Sequence, residues 1–199
     1  MSQQLILPIN QLEITVGYKH PWYNRTQGRT HHGVDAVHAQ GKTYLYGCGN
    51  GVVSHCGKDR VLGNVVAVQY PDVLCADGQV RNLVVRYFHL KNIKCKAGQT
   101  VDTETLLGHY GNTGQYSQGA HLHFEVDTDY NYPAYTPELS KPSNIFKASP
   151  KGYRDTTINP TQVFVVKPSA PEHQTVKGKA VYGGRNGSWS SADTQYQTL

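Results

Sequence analysis

Apolar and polar residues alternate along most of the chain before residue 127. A period of two puts successive side chains on opposite faces, which is typical of β-strands with one buried face. Glycine-containing turns interrupt the alternation, and no segment has strong helical periodicity. We therefore predict an all-β, mostly antiparallel sheet, with strands at 12–16, 34–37, 43–46, 51–55, 64–70, 81–89, 105–109 and 121–126.

The last of these strands carries the strongest candidate chemistry. His121 and His123 are two positions apart, so both imidazoles project from one face of the strand. Two histidines aimed together indicate a metal site or a proton relay. Glu125 has the same parity, and we interpret it as an outer partner of the site or as a surface carboxylate, because the His-Glu-x-x-His helix in which glutamate is the base is absent.

A second cluster surrounds Asp35. His31 and Asp35 share a face of an extended segment, whereas His32 has the opposite parity and is expected to pack or to face solvent. The intervening Gly33 and Val34 weigh against a helix. Zinc accepts imidazole nitrogen and carboxylate oxygen, and a catalytic zinc keeps three protein ligands and one open position. His31, Asp35 and a distant histidine meet that requirement.

His89 ends the apolar strand at 81–89. A lone strand histidine is more often a packed or surface residue than a catalytic one, but this one belongs to an ordered series of motifs. The series is His31-x-Gly33-x-Asp35, Tyr87-x-His89-Leu90, Gly98-Gln99-x-Val101, Gly111-Asn112-Thr113-Gly114 and His121-Leu122-His123-Phe124. In this order the motifs resemble the lysostaphin-type, or LytM-type, zinc endopeptidases over about residues 14–126, with a further match at Asn159-Pro160.

The resemblance implies a role for five residues. His31, Asp35 and His123 would be the zinc ligands, and His89 and His121 the catalytic histidines beside the metal. It also implies an open, sheet-built groove with zinc at its floor. The substrate implied is bacterial peptidoglycan, cut at a peptide bond of a stem, a cross-link or a bridge.

The chemistry of such a site follows from its residue types. Zinc held by two neutral imidazoles and one carboxylate lowers the pKa of a bound water toward about 7. Histidine, with an ordinary pKa of about 6.5, suits both proton acceptance and proton donation. We hypothesise that His121 is the base, because the strand holds it beside His123, and that His89 is the donor.

Two further segments are candidates for the groove. Tyr18, Trp22 and Tyr23 lie in a turn-rich segment before the first ligand, where they form either a groove wall or ordinary loop anchors. His109 is near the catalytic strand in sequence and is a weaker candidate for the lining.

The composition fits a soluble enzyme domain that meets a polyanion. The 199 residues include 19 Lys and Arg against 14 Asp and Glu, a formal charge of +5, which favours anionic cell-wall polymers. There is no Lys/Arg cluster, zinc-finger spacing or RNA-binding signature, so we expect no nucleic-acid partner. We expect a monomer.

The amino terminus lacks the basic start of a secretory signal, and Pro8 interrupts its apolar run. No stretch is long enough to span a membrane. We expect action at the bacterial cell wall as a mature fragment, a phage lysin or a component of a phage particle, and the initiator Met1 favours a phage-type protein.

Cys48 and Cys56 flank a hairpin signal, so a disulfide between them is one option, whereas free thiols are the default for a protein made in a reducing cytosol.

Residues 1–166 are predicted to form one zinc metallopeptidase domain, and 167–199 a linker and tail. The domain includes a Pro- and Tyr-rich insertion at about 127–158, whose prolines exclude a central strand or a long helix. We expect it to lie beside the groove, where Tyr130, Tyr132 and Tyr135 contact substrate.

Two other functions are compatible with the motifs. One is a catalytically inert wall-binding or activator module, which would be expected to lack ligands, although all five histidine and aspartate positions are present here. The other is a structural component of a phage tail or lysis machine that carries this domain.

Overall fold

The computed structural model describes residues 1–148 and 155–166 and the backbone of 175–177. This part of the chain contains two short helical segments, the α-helix α1 (Pro21–Gln27) and a 3-10 turn (Pro160–Gln162). The strands are β1 (Leu5–Ile6), β2 (Gln11–Val16), β3 (Val34–His38), β4 (Tyr44–Tyr46), β5 (Gly51–Asp59), β6 (Gly63–Leu74), β7 (Val80–Ile93), β8 (Thr100–Val101), β9 (Leu106–Tyr110), β10 (Leu122–Asp127), β11 (Tyr135–Thr136), β12 (Lys147–Ala148), β13 (Thr157–Ile158), β14 (Phe164–Val165) and β15 (Thr175–Lys177).

One large sheet dominates the described residues. Its main path runs β15-β2-β3-β10-β7-β6-β5-β8, and β9 joins β7 to β4 while β13 pairs with β10. The pairs along this path are antiparallel except for β15 with β2. The all-β prediction is confirmed, and each of the eight predicted strands is present with shifted ends. The very short strands, which carry too few residues to show a period, were not predicted.

The sheet is buried on both faces at its centre. In β7, Leu83, Val85 and Tyr87 belong to the main hydrophobic core, whereas Val84 and Phe88 belong to a second cluster on the opposite face. That second cluster includes Leu139 and Phe146 from the insertion. The Phe146 ring packs edge-on against Phe88, with 5.4 Å between centroids. The insertion therefore covers the second face of the sheet.

The carboxylate of Asp59 attaches residues 143–146 of the insertion to the hairpin between β5 and β6. Asp59 is 1% exposed. Its two oxygens accept hydrogen bonds from backbone N–H groups on both sides, and these come from Val61 and Leu62 in the hairpin and from Ile145 and Phe146 in the insertion. Ser143 Oγ donates a further one at 2.8 Å.

Helix α1 replaces the turn predicted before the first ligand. His20 Nδ1 accepts a hydrogen bond from the Trp22 N–H, Pro21 supplies a helix-compatible φ at the first turn, and Gly28 ends the helix in the left-handed conformation at φ 66°. These are local capping signals rather than a periodic pattern, so a search for periodicity misses the helix.

All four cysteines are free thiols. Cys48 is buried, and its Sγ lies 3.0 Å from the Tyr87 hydroxyl; burial raises the pKa of this thiol to about 12. The structure thus has the free thiols predicted by default and not the Cys48–Cys56 disulfide.

Among the described residues no helix is long and apolar enough to cross a membrane. Of the predicted linker and tail at 167–199, only the backbone of 175–177 belongs to the described residues.

Candidate metal centre

Three strands bring the five predicted site residues together. Asp35 on β3 and His123 on β10 are direct partners in the antiparallel register, and Phe88 on β7 faces His123 from the other side. His31 lies just before β3 and has no exposed surface. Sequence positions as far apart as 31 and 123 thus meet because β10 runs between β3 and β7 in the sheet.

The ligand atoms of the predicted metal site form a compact triangle. His31 Nε2 lies 3.1 Å from Asp35 Oδ1 and 3.1 Å from His123 Nδ1. His123 Nδ1 lies 2.8 Å from Asp35 Oδ1. All three side chains are buried or nearly so. Among the described residues, this group is one of two in which several histidine or acidic side chains are close enough to share an ion.

The donor set fits zinc. Tetrahedral ligands at about 2.0–2.2 Å from one ion lie about 3.3–3.6 Å from each other, close to the spacing of this triangle. His31 Nδ1 lies 2.9 Å from the Gly17 carbonyl oxygen and donates its proton there, so Nε2 presents a lone pair to the other two donors. Two imidazole nitrogens and a carboxylate that converge in this way are suited to hold a cation between them.

The local pKa values agree with a cation site. Burial opposes the charge of Asp35, yet the nearby His31 and the hydrogen bond to His123 hold the pKa of the carboxyl well below its ordinary value. Burial likewise lowers the pKa of His123, but the hydrogen bond to Asp35 and the negative charges of Asp35 and Glu138 outweigh it and raise this pKa to about 10. The cluster therefore attracts positive charge.

Gly33 permits the close approach of the two ligand-bearing strands. A Cβ at this position would overlap the Phe124 carbonyl oxygen and come within 2.8 Å of His123 Nε2. The glycine of the His-x-Gly-x-Asp motif is therefore required by lack of space beside a candidate metal ligand.

The outer side of His123 faces two buried carboxylates. Its Nε2 is buried without a hydrogen-bond partner in the described structure, and Glu125 Oε1 and Glu138 Oε1 lie 3.8 and 3.9 Å away. Glu125 is itself paired with Arg86 Nη1 at 3.1 Å, and Arg86 also contacts Asp127 Oδ2 at 2.8 Å. Of the two interpretations of Glu125, the surface one is wrong, because the residue has no exposed surface. Negative charge on this side favours a proton on Nε2 and leaves Nδ1 to bind a metal.

His89 has an unusual backbone conformation. Its φ is 64°, in the left-handed region, and the register between β6 and β7 shifts at this point. The His89 Nδ1 lies 3.0 Å from the Thr113 carbonyl oxygen and donates to it, which leaves Nε2 as an acceptor. Burial, together with the charges of His123 and His121, lowers the pKa of His89 to about 3. The ring is thus held neutral and fixed in orientation, at a backbone cost that is typical of functional sites.

His121 is positioned by the loop of the Gly-Asn-Thr-Gly motif. Asn112 Oδ1 accepts hydrogen bonds from Gly119 N–H at 2.8 Å and Ser117 Oγ at 2.7 Å, and so closes the loop. The Gly119 carbonyl then accepts from His121 Nδ1 at 2.9 Å. The His121 Nε2 lies 3.6 Å from Asp35 Oδ1, and its ring centroid lies 5.0 Å from that of His89.

A cavity of about 350 Å³ opens above these groups. Asp35, His89, His121 and His123 all line it, and so do Trp22 and Tyr23, which supports the groove-wall interpretation for these two aromatic residues. Tyr18 does not line it, and its hydroxyl donates a hydrogen bond to the Thr157 carbonyl oxygen at 2.8 Å. His109 does not line it either; it lies 3.1 Å from Thr43 Oγ1 and against the Tyr44 ring. The cavity gives no support to the expectation that the tyrosines of the insertion contact substrate, because none of Tyr130, Tyr132 and Tyr135 lines it.

Sequence reasoning missed several lining residues, among them three with side chains that can bind a ligand. Arg29, Tyr116 and Glu138 lie in loops or in the insertion, where no periodic pattern marks a residue that faces the cavity. Arg29 is two positions before a ligand, which is the one sequence signal that could have drawn attention to it.

Comparison with known proteins agrees with this geometry. An uncharacterized metalloprotease of Buchnera aphidicola is 34% identical over 96 residues, or 48% of this chain and 23% of the relative. The peptidoglycan DD-endopeptidase ShyA of Vibrio cholerae is also 34% identical over 96 residues, or 48% of this chain and 20% of the relative. The chain thus spans about a quarter or less of the length of these two curated relatives.

The fold has a solved counterpart. A mutant catalytic domain of the prophage-encoded M23 protein EnpA from Enterococcus faecalis matches with a TM-score of 0.50 and 24% identity, over 63% of this chain and 87% of that one. The family model described as Peptidase family M23 matches residues 29–134, more than half of the chain and all five site residues. The chain therefore belongs to Peptidase family M23, the zinc metallopeptidase family that its motifs resemble.

Proposed function

We propose that this chain is a zinc-dependent endopeptidase that hydrolyses a peptide bond in bacterial peptidoglycan. The observation that carries the proposal is the triangle of His31, Asp35 and His123, with two further histidines above it at the floor of one cavity. A structural metal site would be closed by a fourth ligand, whereas three protein ligands beside an open cavity are typical of a catalytic one.

The proposed roles follow from the hydrogen bonds of each side chain. His31, Asp35 and His123 hold the ion, which when bound supplies a water of lowered pKa and polarises the substrate carbonyl. His89 and His121 each donate Nδ1–H to a backbone carbonyl, so each keeps Nε2 as a proton acceptor on the cavity side. We assign His121 the base role because its Nε2 lies 3.6 Å from the ligand Asp35. We assign His89 the donor role, in which it first takes up a proton and then releases it to the oxyanion or the leaving amine.

Peptidoglycan as the substrate is supported by the relatives. ShyA is named a peptidoglycan DD-endopeptidase, and it shares 34% identity with this chain over the segment compared. The chain also carries a formal charge of +5, which favours approach to anionic wall polymers. We therefore propose that the protein acts at the bacterial cell wall as a lytic enzyme, including the case of a phage lysin.

The test measures zinc and cleavage together. The purified chain, loaded with zinc, is incubated with purified peptidoglycan, and the released fragments are identified by mass spectrometry. We expect new peptide amino termini, their loss with a zinc chelator and their return with added zinc. Asp35→Ala should lose both zinc and cleavage. His89→Ala and His121→Ala should keep zinc but lower kcat by about 100-fold or more.

Two results would overturn the proposal. If the folded, zinc-loaded chain released no fragment from several wall types but still bound them, it would be an inert binding module. If both histidine variants cleaved at the wild-type rate with zinc retained, the assigned mechanism would be wrong. A phage structural component would instead be recognised by stable association with larger particle proteins.

A further inference from the structure

The cavity contains one fixed positive side chain that the proposed chemistry does not use. Among the described residues that line the cavity, Arg29 is the only arginine or lysine. It precedes β3 and faces the same space as His89, His121 and Asp35. Its side chain is 29% exposed, so its charge is within reach of a ligand in the cavity.

Aromatic rings hold the Arg29 guanidinium in place. Its central carbon lies 3.9 Å from the centroid of the Tyr116 ring and 5.8 Å from that of Tyr23. Nη2 donates a hydrogen bond to the Tyr23 hydroxyl at 3.1 Å. A guanidinium stacked in this way has lost much of its freedom before a ligand arrives, so it can bind with little further loss of entropy.

The guanidinium has unused hydrogen-bond donors. Of its five N–H groups, one is directed at Tyr23, and the nearest described carboxylate oxygen, Glu138 Oε2, is 3.9 Å from Nη1. That distance is longer than a charge-assisted hydrogen bond, which is about 2.7–2.9 Å. Glu138 uses its other oxygen to accept the His32 backbone N–H at 2.8 Å. Glu138 thus lies beside the guanidinium without occupying its donors.

We propose that Arg29 is a carboxylate-binding subsite that recognises a free carboxylate of the peptide substrate near the bond that is cut. A planar guanidinium matches the two oxygens of a carboxylate and makes a bidentate pair, which an uncharged amide cannot reproduce. The substrate class is therefore an anionic peptide. This inference rests on the proposed peptidase function, because it concerns ligands of the same cavity.

The test uses synthetic cross-linked stem peptides in which each free carboxylate in turn is replaced by its carboxamide. For the wild type, one carboxamide should raise KM about 10-fold to 100-fold, the effect of losing a hydrogen-bonded ion pair. For Arg29→Gln, KM for the parent peptide should rise by a similar factor, kcat should stay within about twofold, and the same carboxamide should have no additional effect. Arg29→Lys should keep part of the preference for the carboxylate peptide, because lysine keeps the positive charge but lacks the planar pair of N–H donors.

Arg25→Gln is the matched control. It removes the same charge from exposed helix α1, four residues away and outside the cavity lining, and should leave KM and the carboxylate preference unchanged. Thermal unfolding of each variant checks that the fold is intact.

The outcomes separate this inference from the proposed function. If the wild type cleaves every peptide without preferring any carboxylate, or if Arg29→Gln keeps the preference, the subsite is wrong and the peptidase stands. If the wild type cleaves none, calorimetric binding of the same peptides decides. Tighter binding of a carboxylate peptide by the wild type but not by Arg29→Gln supports the subsite, and equal binding by both overturns it.

Discussion

The candidate metal centre and the insertion are each held in place by a different kind of contact. The centre depends on strand register, in which Asp35 and His123 are direct neighbours across two adjacent strands. In its described residues the insertion has only two-residue strands, and it is held to the sheet by single polar groups such as Arg86 and Asp59 and by the Phe146 ring. Because the strands pair regularly, the side chains that face the candidate metal centre can be predicted from the two-residue period of the sequence. The position of the insertion depends on contacts that no local pattern predicts.

The difference does not mean that the insertion is accessory. Glu138 comes from the insertion and lies 3.9 Å from His123 Nε2, so the outer environment of a strand-borne ligand is completed by an irregular segment. Four substitutions test how far the two regions depend on each other.

The largest effect is expected at Arg86, which joins the two regions. Arg86→Met keeps the length of the side chain but leaves Glu125 and Asp127 buried without their positive partner, and the Pro133 carbonyl without its donor. Removing one member of a buried ion pair costs about 3–5 kcal/mol. Urea unfolding should show a loss of that size in the free energy of unfolding.

The control for Arg86 is Arg81→Met on the same strand. Arg81 pairs with Asp77, and both side chains are well exposed, so its removal should change the free energy of unfolding far less. A triple variant, Arg86→Met with Glu125→Gln and Asp127→Asn, should recover part of the loss. Equal losses for Arg86→Met and Arg81→Met would show that the insertion is not held by this network.

Glu138→Gln tests whether the insertion takes part in the metal centre. The amide keeps the volume and an acceptor for the His32 N–H, but it removes the negative charge that faces His123 Nε2. Loss of such an outer partner lowers metal affinity about 10-fold to 100-fold. Competition with a zinc-binding dye measures this. Glu104→Gln, at an exposed position, is the control, and unchanged zinc affinity in Glu138→Gln would confine the metal centre to the strands.

Asp59→Asn tests the attachment of residues 143–146. Burial raises the pKa of Asp59, but hydrogen bonds from Leu62, Ser143 and Phe146 outweigh it and hold the pKa below its ordinary value. The ionised carboxylate therefore stabilises the fold fully above the unfolded pKa of about 3.9, and this contribution is lost as the pH falls through the lower, folded pKa.

At pH 7 the Asp59→Asn substitution should cost about 1–2 kcal/mol, because the amide replaces one acceptor oxygen by a donor. The difference in free energy of unfolding between wild type and variant should shrink when urea titrations are repeated toward pH 3. A difference that stayed constant over this range would rule out the charge of Asp59 as its source.

The smallest effect is expected at Tyr132. Its side chain is 54% exposed and its ring packs on Tyr135, outside the cavity lining. Tyr132→Ser should change the free energy of unfolding by less than about 0.5 kcal/mol and leave KM within about twofold. Tyr116→Leu removes the ring under Arg29 and should raise KM instead. A large KM effect in Tyr132→Ser would restore the expectation that the insertion tyrosines contact substrate.

The sequence predicts the strands and two pairs of site residues from side-chain parity, whereas the grouping of all five site residues is implied by the ordered motifs that resemble a known family. His121 and His123, and likewise His31 and Asp35, share a face once the segments are known to be extended. Parity does not predict the left-handed φ of His89, which arises where the register of β7 shifts. Nor does it predict Arg29 or Glu138, whose positions depend on loops that fold against distant strands.

One signal in β7 was available and was not used. Residues of both parities in this strand are apolar, which is typical of a strand covered on both faces. Arg86 lies within that apolar run, so it required a buried partner on one of the two faces. The pattern therefore already indicated that some segment had to cover the second face of the sheet.

Gly33 has a consequence for how the metal triangle could be altered. The space that a methyl group would occupy there is taken by the Phe124 carbonyl and the ring of His123. The methyl group of a Gly33→Ala variant would push β3 and β10 apart and so separate Asp35 from His123, although neither candidate ligand is replaced. The distance between Asp35 Oδ1 and His123 Nδ1 thus depends on the missing side chain of Gly33, which is not itself one of the candidate ligands.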